Sequence, residues 1–283
     1  MACAVTGASG YVGSRLASAI QRDMEVIPLS RRDAAGSIHW EMEHPIDISG
    51  ELRSRGVKFL VHVAWDFSHP NPKENDHVNV EGSRQLFDCA DRAGIERIIF
   101  VSSISAFAGA RSAYGRSKLR VEQMVLERPG GVVIRPGLVW GAGPGGMFGA
   151  LTKQVDSGSV IPMIGSGRYP QYLVHEEDLG DAIRRSVAGQ LHAGAPITVA
   201  HEVPWQLRDL IKDIARKQGK QVTLLPVPWP AVYAGLKTAE LLGAKLNFRS
   251  DSVLSLVFQD SSPDFTLANQ FGLARRSYPG TPA

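Results

Sequence analysis

Cysteine is nearly absent from this chain of 283 residues: Cys3 and Cys89 are the only two. One lies in an apolar run and the other in a helical pattern, which excludes a disulfide framework and a cysteine-ligated metal site; both read as reduced core residues, and no metal is expected. Apolar runs are also short, each broken by a charge or a turn former well before membrane-spanning length, so no membrane helix is expected. Runs of Lys or Arg are lacking. The net charge of +3 comes from 31 basic residues dispersed among 28 acidic ones, which argues against a nucleic-acid or lipid surface as partner. There are no internal repeats and no low-complexity tracts. The first apolar run begins at residue 2, leaving no room for a signal or transit peptide, so the expected compartment is the cytoplasm. What the chain does have is 43% hydrophobic residues, enough for one large core, or a main domain with a smaller lobe.

The most informative stretch lies near the start. Residues 2–5 are apolar and read as a buried strand, Gly7, Gly10 and Gly13 follow at regular spacing, and Val12, Leu16 and Ile20 recur at helical intervals. A strand, tight turn and helix in that order aim backbone N–H groups and the positive end of a helix dipole at one point, and glycine lets a pyrophosphate come close. Gly7, Ser9, Gly10, Tyr11, Val12 and Gly13 are therefore candidate dinucleotide-binding residues. A second apolar run, 24–29, ends at Ser30-Arg31-Arg32. An acid at such a strand end holds a ribose 2′-hydroxyl, whereas a small residue followed by arginine leaves room and charge for a 2′-phosphate. Ser30, Arg31 and Arg32 thus favour NADP over NAD, and Asp33 reads as a loop acid.

A turn-rich connection, 44–50, leads to a short helix at 52–55 and an apolar strand at 57–64. Aromatic and turn residues then break the pattern, a long helix runs over 74–93 with Gly94 as its C-cap, and the next strand is 97–103. Strand alternates with helix through connections too long for hairpins, which predicts an α/β fold with a doubly wound parallel sheet. Right-handed crossovers bring residues 7–13, 30–32, Ala64 and Ser103 to one edge of that sheet.

Beyond the 97–103 strand, Tyr114 and Lys118 are four apart in a helical pattern continued by Val121 and Val125, so their side chains share one face. An ammonium beside a phenol favours the phenolate, which would lower the Tyr114 pKa and let it exchange a proton with a substrate oxygen. A hydroxyl from Ser103 or Ser105 would orient that oxygen. The two lie on the same strand face, opposite Ser102, and Ser103 is preferred.

Taken together, Thr6 to Gly13, Asn79-Val80-Glu81-Gly82, Ser102-Ser103, Tyr114-Gly-Arg-Ser-Lys118 and Arg135-Pro136-Gly137-Leu138-Val139-Trp140-Gly141 resemble the extended short-chain dehydrogenase/reductase family over residues 2–180. The resemblance implies a Rossmann-type sheet with a smaller C-terminal α/β substrate lobe. It gives Tyr114 the acid/base role and has Lys118 hold the nicotinamide ribose. It places Asp47 and Ile48 on adenine, Val63, Ala64 and Trp65 along the cofactor, Asn79 behind the active-site backbone, and Pro136, Gly137, Leu138 and Val139 at the nicotinamide. His62 falls on a family position, and equally reads as a strand histidine packed under a loop. The family's frequent four-helix dimer makes a homodimer plausible.

Two departures stand out. Ile104 occupies the place of a third Ser or Thr, and Gln171 stands where sugar-nucleotide members carry an Arg that grips the diphosphate, with Arg168 as a shifted substitute. Residues 1–140 are expected to form the NADP-binding domain, with 173–193 packing back onto it, and 141–283 mainly the lobe. There a strand at 196–200, a helix at 205–217, a strand at 222–226 and apolar helices follow. Met147, Phe148, Trp229 and Tyr233 are candidate pocket residues, with core packing the commoner reason for such aromatics. The resulting expectation is an NADP-dependent oxidoreductase or epimerase acting on a nucleotide-linked or other activated sugar. The alternatives are a reductase of a hydrophobic ketone or alcohol, and a catalytically silent NADP-binding protein.

Overall fold

The computed structural model describes residues 1–280 except Asp33, Pro70, Pro144, Lys245 and Asn247, and the backbone alone of Pro72. Asp33, read above as a loop acid, therefore lies outside the described residues. In chain order the elements are β1 (Ala2–Thr6), α1 (Tyr11–Ile20), β2 (Glu25–Ser30), β3 (Ile38–His39), α2 (Ser49–Ser54), β4 (Val57–His62), α3 (Pro72–Ala93), β5 (Arg97–Val101), α4 (Ala113–Leu126), β6 (Gly131–Pro136) and β7 (Leu138–Trp140). There follow α5 (Gly146–Ser157), β8 (Val160–Ile164), β9 (Pro170–Gln171), β10 (Leu173–His175), α6 (Glu176–Val187), β11 (Ile197–Val199), β12 (Trp205–Gln206), α7 (Leu207–Lys217), β13 (Thr223–Val227), α8 (Trp229–Leu241), α9 (Ser250–Val257) and α10 (Thr266–Gln270).

Seven parallel strands form the main sheet in the order β11-β6-β5-β4-β1-β2-β3. Buried parallel strands need apolar residues on both faces, and β1, with all five residues buried, meets that demand. Leu16, Ile20, Leu179 and Ile183 of α1 and α6 pack one face; Leu52, Leu86, Phe87, Val121 and Val125 of α2, α3 and α4 pack the other. Strand order reverses between β1 and β4, and at such a switch point adjacent crossovers leave on opposite faces and open a crevice at the carboxyl edge.

Three two-stranded sheets, β7 with β10, β8 with β13 and β9 with β12, build the adjoining lobe. The strand expected there at 196–200 is instead β11, which pairs Ile197 with Ile134 and closes the main sheet. Its three residues are all buried, so they gain more by extending a covered sheet than by joining a small one. No helix among the described residues is long and apolar enough to cross a membrane.

Candidate active site

The glycine turn is built by close approach. Gly7 has φ 67° and its Cβ position lies 2.9 Å from the Ala64 nitrogen, while a Cβ on Gly13 would overlap the Gly7 carbonyl oxygen. Gly7 accepts from Gly10 N at 2.9 Å, and α1 opens with no side-chain cap at Gly10. The first-turn amides of Tyr11, Val12 and Gly13 have no partner within the helix by its geometry. This cradle, at the switch point and without a Cβ at Gly7, Gly10 and Gly13, fits a dinucleotide pyrophosphate. Gly145 and Gly146 lie on the Tyr11 ring, and Arg15 covers it 4.2 Å from the centroid.

A buried polar chain backs the turn. Thr6 Oγ1 accepts from Val63 N at 2.9 Å and from Ala64 N at 3.0 Å. Both of its acceptor sites are thereby used, so its proton goes to His62 Nδ1 at 2.8 Å. The His62 Nε2–H then donates to Ser83 Oγ at 2.9 Å, and Ser83 donates to Asn79 O at 2.6 Å. Burial holds the His62 pKa down to about 3, which keeps the ring neutral as this chain of donors requires. Asn79 accepts from Asp66 N at 2.7 Å and donates to Asp66 O at 2.8 Å, fixing the loop that carries Val63, Ala64 and Trp65. His62 is thus a fully buried strand histidine under a loop, and through Thr6 it sets the strand end at the turn.

Ser30 ends β2, and its Oγ accepts from Arg32 N at 3.1 Å. Arg31 and Arg32 are exposed and have no ion pair among the described residues. Asp47 and Ile48 are not brought to this edge. Asp47 accepts from Ser49 N at 2.9 Å at the start of α2 and pairs with Arg92 near the far end of α3 at 3.3 Å, while Ile48 is sealed in the core. Met42 stands beside the polar chain instead, with Ser83 Oγ 3.9 Å from its sulfur. The two residues of β3 are too few for a strand pattern that would point to it. The signal was the alternation of buried Ile38, Trp40 and Met42, which carries the strand direction to the edge.

Tyr114 and Lys118 share the inner face of α4. The Ser103 side chain beside Tyr114 favours the phenolate, but burial outweighs that influence and pushes the phenol up to about 12. Lys118 Nζ donates to Val101 O at 2.9 Å and lies 4.0 Å from the Trp65 ring centroid and 4.5 Å from that of Phe100. Desolvation lowers its pKa to about 7. The expectation that Lys118 pulls the phenol toward neutrality is therefore corrected: the ammonium rests on aromatic faces 5.9 Å from the Tyr114 ring, and burial dominates both groups. Ser102 faces the other way and donates to Glu122 Oε1 at 2.5 Å. That carboxylate also binds Arg135 through Nε at 2.8 Å, so a buried ion pair locks β5, α4 and β6 behind the site.

A cavity of about 790 Å³ opens from Tyr114 into the lobe. Ser103, Ser105 and Tyr114 form its polar end, with Gly137 and Leu138 beside them, and Leu151, Met163, Ile164, Ile211, Val232 and Leu256 supply much of the far wall. A Cβ on Gly137 would overlap the Tyr172 carbonyl oxygen, so glycine lets the chain turn from Pro136 of β6 to Leu138 and Val139 of β7. Gln171 lies in the wall and donates to Gln259 Oε1 at 3.3 Å. Arg168 is exposed and absent from the wall. Of the four candidate pocket residues, Met147 lines the cavity. Phe148 packs 5.5 Å from Tyr278 and Trp229 5.4 Å from Phe258, while Tyr233 is half-buried outside the wall.

A family model described as the NAD dependent epimerase/dehydratase family matches residues 3–195. Among curated relatives, "Uncharacterized protein y4nG" of Sinorhizobium fredii is 25% identical over 83% of this chain, which spans 65% of that protein's length. The "4-hydroxy-2-methyl-3-oxo-4-farnesyl-3,4-dihydroquinoline-1-oxide ketoreductase" of Stigmatella aurantiaca is 26% identical over 84% of this chain and 79% of its own. Among solved structures, a DesIV double mutant of Streptomyces venezuelae, a dTDP-glucose 4,6-dehydratase with NAD bound, superposes with a TM-score of 0.71 at 18% identity, over 98% of this chain and 92% of that one. The Rossmann-type fold expected from the sequence is thus shown.

Proposed function

This chain belongs to the NAD dependent epimerase/dehydratase family, and from that premise we propose that it is an NADP-dependent oxidoreductase acting on the hydroxyl or keto carbon of an apolar-bodied small molecule. The observation that carries the proposal is that Tyr114 and Ser103 together line one end of a largely apolar cavity. A nicotinamide, when bound, supplies or accepts the hydride. Tyr114, held protonated at neutral pH, gives a proton to an oxygen that gains charge as a carbonyl is reduced, and Ser103 orients that oxygen. Lys118 offers its ammonium from the same helix face. The glycine cradle would hold the pyrophosphate, and Arg31 and Arg32, exposed beside Ser30, support a 2′-phosphate and hence NADP.

The apolar substrate is favoured by the largely aliphatic wall and by the neutral amide pair of Gln171 and Gln259, while Arg249, also in the lining, donates to Phe67 O at 3.3 Å and lies 3.9 Å from Glu240. A nucleotide-linked sugar is the second reading, supported by the family's description and by the dTDP-glucose dehydratase neighbour. A silent NADP-binding protein would have no need of Tyr114, Ser103 and Lys118 in one place. The proposal extends to a cytoplasmic setting, supported by two buried, unpaired cysteines.

The test offers purified protein NADPH with a panel of apolar ketones and keto-sugar nucleotides, and follows NADPH consumption. On the substrate found, Tyr114→Phe should lower turnover by about 10² to 10⁴ while NADPH binding persists. Wild-type turnover in that variant overturns the mechanism, and NADPH binding with no turnover on any compound supports the silent protein.

A further inference from the structure

The helix that carries Tyr114 is held at its start by a residue far along the chain. Asp251, in the first turn of α9, accepts from Ala113 N through Oδ1 at 2.7 Å and from Tyr114 N through Oδ2 at 3.0 Å. These are the first two amides of α4, which no preceding turn can satisfy. The side chain of the helix's own cap, Ser112, accepts from Gly115 N at 3.1 Å. A local residue thus satisfies one early amide of α4, and a residue of the lobe satisfies the two at and beside Tyr114.

Asp251 is itself braced. Glu240, buried at the end of α8, accepts from Ser250 N and from Ser250 Oγ, both at 2.7 Å, which fixes the start of α9 one residue before Asp251. Ser252, Ser255 and Leu256 of the same helix line the cavity. Arg249, just before them, reaches across to Phe67 O at 3.3 Å, and the Phe67 ring stacks 5.8 Å from that of Tyr114. One short helix therefore walls the cavity and grips the backbone of Tyr114.

We propose that Asp251 is a positioning residue for Tyr114, tying the substrate wall of the lobe to the start of α4 so that the phenol meets the substrate oxygen in register; this rests on Tyr114 being the proton donor. A misplacement of about 1 Å in a reacting group costs up to about 100-fold in rate. Ser112→Ala serves as the control, because it weakens the same helix end without touching the lobe.

The experiment compares Asp251→Ala, Asp251→Asn and Ser112→Ala with wild type for NADPH binding, melting temperature, and kcat and KM on the ketone found in the panel. Asp251→Ala should lose about 10- to 100-fold in kcat with NADPH affinity unchanged. Asp251→Asn, which keeps one acceptor oxygen, should recover part of that loss. Ser112→Ala should keep kcat within about threefold of wild type at a comparable drop in melting temperature. Equal kcat losses in Asp251→Ala and Ser112→Ala, or none in Asp251→Ala, overturn the proposal. If wild type turns over no compound, the reading of Tyr114 has failed and hydrogen exchange at the amides of residues 113 and 114 decides the hold itself. At least about tenfold faster exchange in Asp251→Ala, with Asp251→Asn intermediate, supports it; unchanged exchange overturns it.

Discussion

The sheet edge and the cavity wall meet at Tyr114, yet they are made of opposite materials. At the edge, Thr6, His62, Ser83 and Asn79 pass hydrogen bonds in one direction through a fully buried path. Its groups are tightly coupled, because an unmade hydrogen bond in a dry interior costs about as much as the group's desolvation. Across the cavity, Leu151, Ile164, Ile211 and Leu256 offer surface without direction. Apolar packing tolerates exchange among shapes of similar volume. The edge is therefore suited to keep one fixed geometry, and the wall to discriminate by size and polarity.

Breaking the edge should have the largest effect. His62→Leu leaves the Thr6 proton and the Ser83 oxygen without partners and should cost about 2 to 4 kcal/mol of stability at pH 7, read by denaturant unfolding. The cost should depend on pH. His62 has a folded pKa of about 3, below its unfolded value, so as pH falls the unfolded state takes up a proton that the folded state refuses, and wild type loses stability that the variant keeps. The gap between them should narrow by about 2 kcal/mol from pH 7 to pH 5. A gap that stays constant would mean that His62 is not held neutral.

A smaller effect is expected where the edge meets solvent. Replacing Arg31 and Arg32 together by Ala should weaken NADPH by about 10- to 100-fold and NADH by less than about threefold, measured by fluorescence titration, since exposed arginines contribute to a phosphate about what charged hydrogen bonds do. Equal losses for both cofactors would remove the case for NADP. The smallest effect is expected in the wall. Gln171→Arg would add one guanidinium to the cavity, and UDP, used as a probe, should bind about tenfold tighter to that variant than to wild type. Tight UDP binding by wild type would instead place a nucleotide-linked sugar first.

Much of the edge is legible in the chain because its signals are local. Three glycines within seven residues, and Tyr and Lys four apart on a helix, set geometry through backbone constraints that neighbours impose on each other. Alternation of apolar runs and helical patterns likewise leads to the doubly wound sheet. Elsewhere local signals mislead. The family resemblance implies an adenine contact at Asp47 and Ile48, but Arg92 and the core draw them to the other end of α3. The Tyr114 and Lys118 spacing is a correct reading of one face, while the direction of the Tyr114 shift depends on how deeply Trp65, Phe100 and the lobe bury the pair.

The sequence by itself determined the glycine turn, the alternation of strand and helix that builds the main sheet, and the placing of a phenol and an amine on one helix face, since each follows from residues within a few positions of one another. Only the tertiary structure decided which residue caps the helix of Tyr114, which strand closes the sheet and how apolar the cavity is. Those outcomes depend on contacts between residues such as Ala113 and Asp251, 138 positions apart. Such pairs leave no period or motif in the chain, and are selected only when the whole core packs and every buried donor finds its acceptor.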